Sequence, residues 1–195
     1  MRLATLNRLP AAEAEVALLA CCGSRRWART LVAARPFADP EALRARAEHE
    51  WWKLAPGDWL EAFRAHPRIG ETKGAEGEGS GDRSGDRRAA GWSAGEQAGA
   101  AAADAALRAE LAAANRAYDE RFGHLYIVCA SGRSARSMLA DLRARLDNPA
   151  DEEIRVAAGH QAAITRLRLD KLLAGEGDGG DGGGGRGGDG ERKEP

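Results

Sequence analysis

The sequence has little of what marks several large classes of protein. Net charge is almost absent, with 29 Lys and Arg against 30 Asp and Glu, so nothing global calls for nucleic acid or an anionic membrane as partner. No apolar run approaches the roughly 18 residues of a membrane span, and the N-terminal MRLATLNRLPAAEAEV turns polar too soon for a secretory signal. Cysteine is scarce. Cys21, Cys22 and Cys129 form no CxxC pair and no even framework, which makes a reducing cytosol, and hence a cytoplasmic protein, the expectation. The four histidines show neither HxxxH nor HxH spacing, so a metal site has no support. Neither glycine-rich stretch reads GxxxxGK[ST], or GxGxxG after a strand, so no nucleotide loop is indicated. Collagen-like, disulfide-rich secreted and membrane-spanning classes fall away.

Glycine itself is sparse over most of the chain. Of 25 glycines, nine lie between Gly70 and Gly99 and eleven between Gly175 and Gly190. The remaining body is about 150 residues, the size of one domain with a real core. Helix punctuation dominates it. A helix entered at Pro10 runs to Gly23. Ser24 caps a second, with Trp27 and Leu31 at i, i+4 spacing, closed by Pro36. Asp39-Pro40-Glu41 starts a third, with Leu43, Ala47, Trp51 and Leu54 on one face up to Pro56-Gly57. Asp58 caps a short helix over 59–65, which stops before Pro67. Residues 74–91 read as a mobile insertion with almost nothing apolar. Ser93 opens the longest helix, alanine-rich and ending near Arg121. Leu125 to Cys129 is the one strand-like run, too short for a sheet. Ser134 caps a helix ended by Asn148-Pro149, and a last helix spans 151–173. The expectation is an all-α, single-domain bundle of about seven helices over residues 1–173. A disordered tail of Gly and Asp fills 174–195.

Few residues can carry chemistry. His66 sits at a helix end, fixed by Pro67 beside a loop; an imidazole there can exchange protons near neutral pH, or simply favour the negative helix terminus. Ser93-x-x-Glu96 is a capping box, which together with Gln97 also places a carboxylate, a hydroxyl and an amide beside free N–H donors. Arg166 and Arg168 lie two apart in ITRLRLDKLL and point in different directions, so at most one faces a given pocket; the other reading of each is a solvated basic face. Cys129 reads as a small buried hydrophobe, with a Cys129–His124 nucleophile pair as the rival. His49 and His160 fall on polar helix faces without a role. The five tryptophans, Trp27, Trp51, Trp52, Trp59 and Trp92, read as core and interface anchors.

Taken in order, several segments resemble one family. Leu6-Asn7-Arg8-Leu9-Pro10, CCGSRRW at 21–27 and AARPF at 33–37 match its N-terminal third. AHPRIGE at 65–71, SAGEQAGA at 93–100, YDERFGHLYIVCASGRSA at 118–135, ARLDN and ITRLRLDKLL complete it. The sequence is similar to 2-oxo-4-hydroxy-4-carboxy-5-ureidoimidazoline (OHCU) decarboxylases, which act after uricase and hydroxyisourate hydrolase in urate breakdown. The resemblance implies an all-α fold, often a homodimer, and decarboxylation of that small-molecule substrate to (S)-allantoin, with no cofactor and no metal. It implies that His66 and Glu96 are catalytic and that Pro67, Ser93 and Gln97 touch the substrate. It further implies that the backbone of Val128, Cys129 and Ala130 binds ureido and ring amides, and that Arg168 meets the substrate's negative charge. The alternative from another class is a helical binding or regulatory module that keeps the fold without turnover.

Overall fold

The computed structural model describes residues 1–68 and 105–175. The insertion at 74–91, Trp92, the opening of the alanine-rich helix, Ser93, Glu96, Gln97 and the tail beyond 175 lie outside the described residues. Eight α-helices and no strand occur among those described: α1 (Leu3–Arg8), α2 (Ala11–Cys21), α3 (Arg25–Ala33), α4 (Pro40–Trp52), α5 (Pro56–Arg64), α6 (Ala105–Phe122), α7 (Ala135–Arg145) and α8 (Ala150–Ala174). The all-α class stands, with one helix more than the seven read from the sequence.

The extra helix is α1. It has no side-chain N-cap bond and six residues, so nothing local announces it. Distant residues hold it instead. Arg35 donates through Nη1 to the carbonyls of Leu6 and Leu9, at 2.6 and 2.8 Å, satisfying helix-end acceptors that lack intrahelical partners. Asn7 exchanges two hydrogen bonds with the backbone of Phe37, donating at 2.8 Å and accepting at 2.9 Å. The LNRLP and AARPF segments thus meet in space.

Where caps were legible, they formed. The side chains of Ser24, Asp39 and Ser134 accept from Trp27, Ala42 and Ser137 backbone N–H groups. Two boundaries differ from expectation. The helix expected to begin after Asp58 starts at Pro56, with its φ already set for a first turn, and Asp58 sits inside it, accepting from Ala55 N–H at 3.2 Å. Helix α4 ends at Trp52, so Leu54 is buried from beyond the helix.

Two hydrophobic clusters form. The larger joins α1 to α5 with α8 and contains Trp27, Trp51 and Trp59; the smaller lies between α6 and α7 around Leu111, Tyr118, Met138 and Leu142. The three indole N–H groups donate to the carbonyls of Ala47, Ala158 and Trp51, at 2.9, 3.0 and 3.1 Å. A tryptophan can therefore be buried without an orphaned donor. Trp52 alone of the described tryptophans is exposed.

The run 125–130 joins the clusters. It follows Gly123, whose φ of 70° opens the turn. Its side chains alternate as in a strand: Tyr126, Val128 and Ala130 enter the smaller cluster, while Leu125, Ile127 and Cys129 pack on the larger. Without a neighbouring strand its backbone needs other partners. Arg145 donates to the Ile127 carbonyl at 2.9 Å, and Cys129 N–H donates to His160 Nδ1 at 3.4 Å. Arg145 is itself buried, neutralised by Glu153, which is fully buried, at 2.5 Å. Glu153 also accepts from Tyr118 and, at 2.7 Å, from Asn148. Burial, reinforced by hydrogen bonding to Glu153, pushes the Tyr118 phenol far above its ordinary range, so it remains a donor.

This ion pair predicts a stability change. Among the described residues, Glu153→Ala leaves Arg145 only the longer ion pair with Asp141, at 3.5 Å, and should cost about 3 kcal/mol, read as a fall in unfolding free energy in urea. A loss near zero would mean that the pair does not anchor the run.

Candidate active site

Helix α5 ends at Arg64, and the chain leaves it through Ala65 and His66, whose N–H still donates to Phe63 O at 3.1 Å. The preference of a pre-proline residue for extended backbone breaks the helix there, and His66 is thereby held at the helix edge. Behind it stands Gly23, at the end of α2. A Cβ on Gly23 would lie 2.5 Å from the Ala65 Cβ. Only glycine lets the α2–α3 corner press this closely on the residue before His66.

The opposite wall is α8. Gln161, Thr165 and Arg168 recur at i, i+4 and i+7 on one stripe, and all three are buried, at 0%, 6% and 2% exposure. Gln161 Oε1 lies 2.7 Å from His66 Nε2, and Gln161 Nε2 donates to Thr165 Oγ1 at 3.2 Å. Burial, and then the positive charge of Arg168, lower the His66 pKa from 6.5 to about 4; the Gln161 contact opposes this without prevailing. His66 is thus neutral at pH 7. Arg166, two residues from Arg168, is exposed, as expected of alternate directions on one helix.

His160 corrects the sequence reading. Rather than lying on a polar face without a role, it is half-buried and accepts the Cys129 N–H. Burial and then Arg145 hold its pKa below the ordinary value. Consecutive residues of α8 therefore bind the two other parts of the site. His160 holds the 125–130 run, and Gln161 holds His66. Val128 and Ala130 are buried within that run, and Cys129 is only partly so. His124 does not pair with Cys129. Its ring packs against Phe63 and Tyr118, with centroids at 5.4 and 5.5 Å, because an aromatic pocket is what the preceding turn faces. Pro67 is half-buried beside His66, and the next residue, Arg68, is tied to Asp119 on α6.

Of the residues expected at the site, the structure sets His66, with Pro67 beside it, within the field of Arg168, and ties the 128–130 run to α8 through His160. Glu96, Ser93 and Gln97 lie outside the described residues. Gln161, Thr165 and His160 were missed. The available signal was a glutamine and a threonine at helical spacing from Arg168, where the period of the last helix calls for apolar residues. Among the described residues no group of His, Cys, Asp and Glu could hold a metal ion. A groove of about 240 Å³ between α4 and α8, lined by Trp51, Trp52 and Gly159 among others, contains neither His66 nor Arg168.

The fold and site together define a small all-α domain with a neutral imidazole set against a buried guanidinium. Comparison with known proteins agrees. Residues 7–170 match the family described as OHCU decarboxylase. The uric acid degradation bifunctional protein TTL of Arabidopsis thaliana is 36% identical over 154 residues, covering 79% of this chain and 45% of the relative. The chain thus spans just under half the length of that relative. The crystal structure of an OHCU decarboxylase in the presence of (S)-allantoin superposes with a TM-score of 0.66 at 34% identity, over 80% of this chain and 96% of that one. An (S)-allantoin synthase structure, at 18% identity and a TM-score of 0.62, covers 89% of this chain and 54% of its own and shares the fold. The chain belongs to the OHCU decarboxylase family, a family of carboxy-lyases.

Two outcomes follow from the electrostatics. Arg168→Gln removes one of the two causes that depress His66, so the His66 pKa should rise from about 4 toward 6.5. An NMR pH titration of the ring protons reads this, and an unchanged value would contradict the placement of Arg168. Because His66 and His160 are depressed in the folded state, the unfolded chain binds more protons in acid. Their contribution to stability is complete above pH 6.5 and is lost as pH falls toward 4. The urea midpoint should drop across that window, and less so in His66→Gln.

Proposed function

We propose that this protein decarboxylates OHCU to (S)-allantoin in urate degradation. The observation that carries the reading is the neutral His66 on Gln161 beside the buried Arg168 guanidinium. In OHCU the carboxylate is borne on a carbon adjacent to a C=N bond. As the C–CO2 bond breaks, its electron pair forms a new C=C bond, and the C=N pair moves to nitrogen, which takes a proton. The resulting enol loses its hydroxyl proton and gains one at the ureido-bearing carbon, giving allantoin. The substrate is its own electron sink, so no cofactor enters the step.

The protein's task is then to bind an anion and move protons on one face. Arg168, desolvated and able to form a bidentate fork, meets the substrate carboxylate and the negative charge that passes into the ring. A neutral imidazole accepts a proton without first losing one, which suits His66 to the hydroxyl proton. The Val128–Ala130 backbone faces the ureido and ring amides, with Pro67, Ser93 and Gln97 as further contacts. Glu96 orients His66 or polarises the substrate hydroxyl. The same reading takes the protein as a cytoplasmic homodimer, which light scattering of the purified chain tests for its oligomeric part.

His66→Ala and Glu96→Ala should each abolish enzymatic CO2 release from freshly generated OHCU while leaving the helical circular dichroism intact. Near-wild-type turnover in His66→Ala would sink the mechanism. Cys129→Ser should keep most of the activity, because only the backbone of that residue is used.

A further inference from the structure

Behind His66 lies a chain of buried polar side chains that the proposed chemistry does not itself use. Gln161 Oε1 faces His66 Nε2 at 2.7 Å, and Gln161 Nε2 reaches Thr165 Oγ1 at 3.2 Å. Cys22 lies close enough to the Thr165 hydroxyl and the Ser24 backbone for both to act on its thiol. Cys22, Ser24 and Gln161 are fully buried, and Thr165 is nearly so at the wall of the groove between α4 and α8.

The Gln161 amide places its NH2 on Thr165 Oγ1 and its carbonyl oxygen on His66 Nε2. An amide carbonyl only accepts, so the imidazole must present N–H at Nε2.

We propose that Gln161, held by its hydrogen bond to Thr165, is a positioning residue that keeps neutral His66 as the Nε2–H tautomer and makes Nδ1 the nitrogen that exchanges protons with the substrate. This rests on the reading of His66 given above and deepens it. Burial keeps Cys22 a thiol, with its pKa pushed to about 11, so the far end of the chain stays neutral across the working range.

The tautomer is read directly from long-range ¹H–¹⁵N correlation spectra of the ligand-free wild-type protein. The expected pattern is a pyrrole-type Nε2 and a pyridine-type Nδ1 for His66. A protonated Nδ1, or an even mixture of tautomers, overturns the proposal. Gln161→Leu should lose the bias and lower kcat about tenfold or more, up to the roughly 10²–10⁴ that positioned proton transfer supplies, with KM changed less than about threefold. Gln161→Glu keeps an acceptor at Nε2, so it should keep the tautomer, raise the His66 pKa and move the acidic limb of kcat to higher pH. An unchanged tautomer and kcat in Gln161→Leu, with His66→Ala still inactive, overturns the positioning role and leaves the decarboxylase reading standing. Full activity in His66→Ala overturns both. Should Gln161→Leu fail to fold, the wild-type and Gln161→Glu spectra decide.

Discussion

The contact between the His66 imidazole and the Gln161 amide is the point on which the rest of the site depends. It ties the broken end of α5 to the middle of α8, the longest helix among the described residues. One residue earlier on α8, His160 receives the backbone of the 125–130 run. Two helical turns later, Arg168 supplies the positive charge. A single helix thus carries the partners of His66 and of the 125–130 run together with the buried Arg168. Such an arrangement is easier to hold on a rigid helix than on loops.

The cost of this arrangement is polar burial. An extended run with no neighbouring strand must find side-chain partners for its backbone, and the fold supplies Arg145 and His160. Arg145 must be neutralised, which Glu153 does, and Glu153 must fill its remaining lone pairs, which Tyr118 and Asn148 do. Buried ion pairs contribute little net stability against apolar replacements, but they penalise any packing that separates them. Here that penalty falls on the register of residues 125–130. Lowering the His66 pKa is a second consequence of the same economy. Burial beside Arg168 leaves the imidazole neutral at pH 7.

Much of this was legible in the sequence because it is local. The Ser24, Asp39 and Ser134 caps, the pre-proline stop at His66 and the burial of Trp27, Trp51 and Trp59, though not of Trp52, follow from residue type and spacing. The opposed directions of Arg166 and Arg168 follow from the helical repeat alone. What was not legible is tertiary. Helix α1 has no cap of its own and is held by Arg35 and Asn7 across a long sequence separation. His160 and Gln161 read as ordinary polar helix residues until the packing of α8 against α5 and the 125–130 run shows them facing inward. Gly23 looked like a helix stop, whereas its place is explained by the approach of Ala65. The contribution of Glu96 was read from a motif alone and belongs with the proposed function.

The central claim is that this site turns OHCU into one enantiomer of allantoin. Its most direct measurement follows circular dichroism as freshly generated OHCU is consumed by the purified protein. The account predicts a dichroic signal of (S)-allantoin that appears faster than the spontaneous decay and scales with protein concentration. Decay at the spontaneous rate to racemic, optically silent allantoin would contradict it.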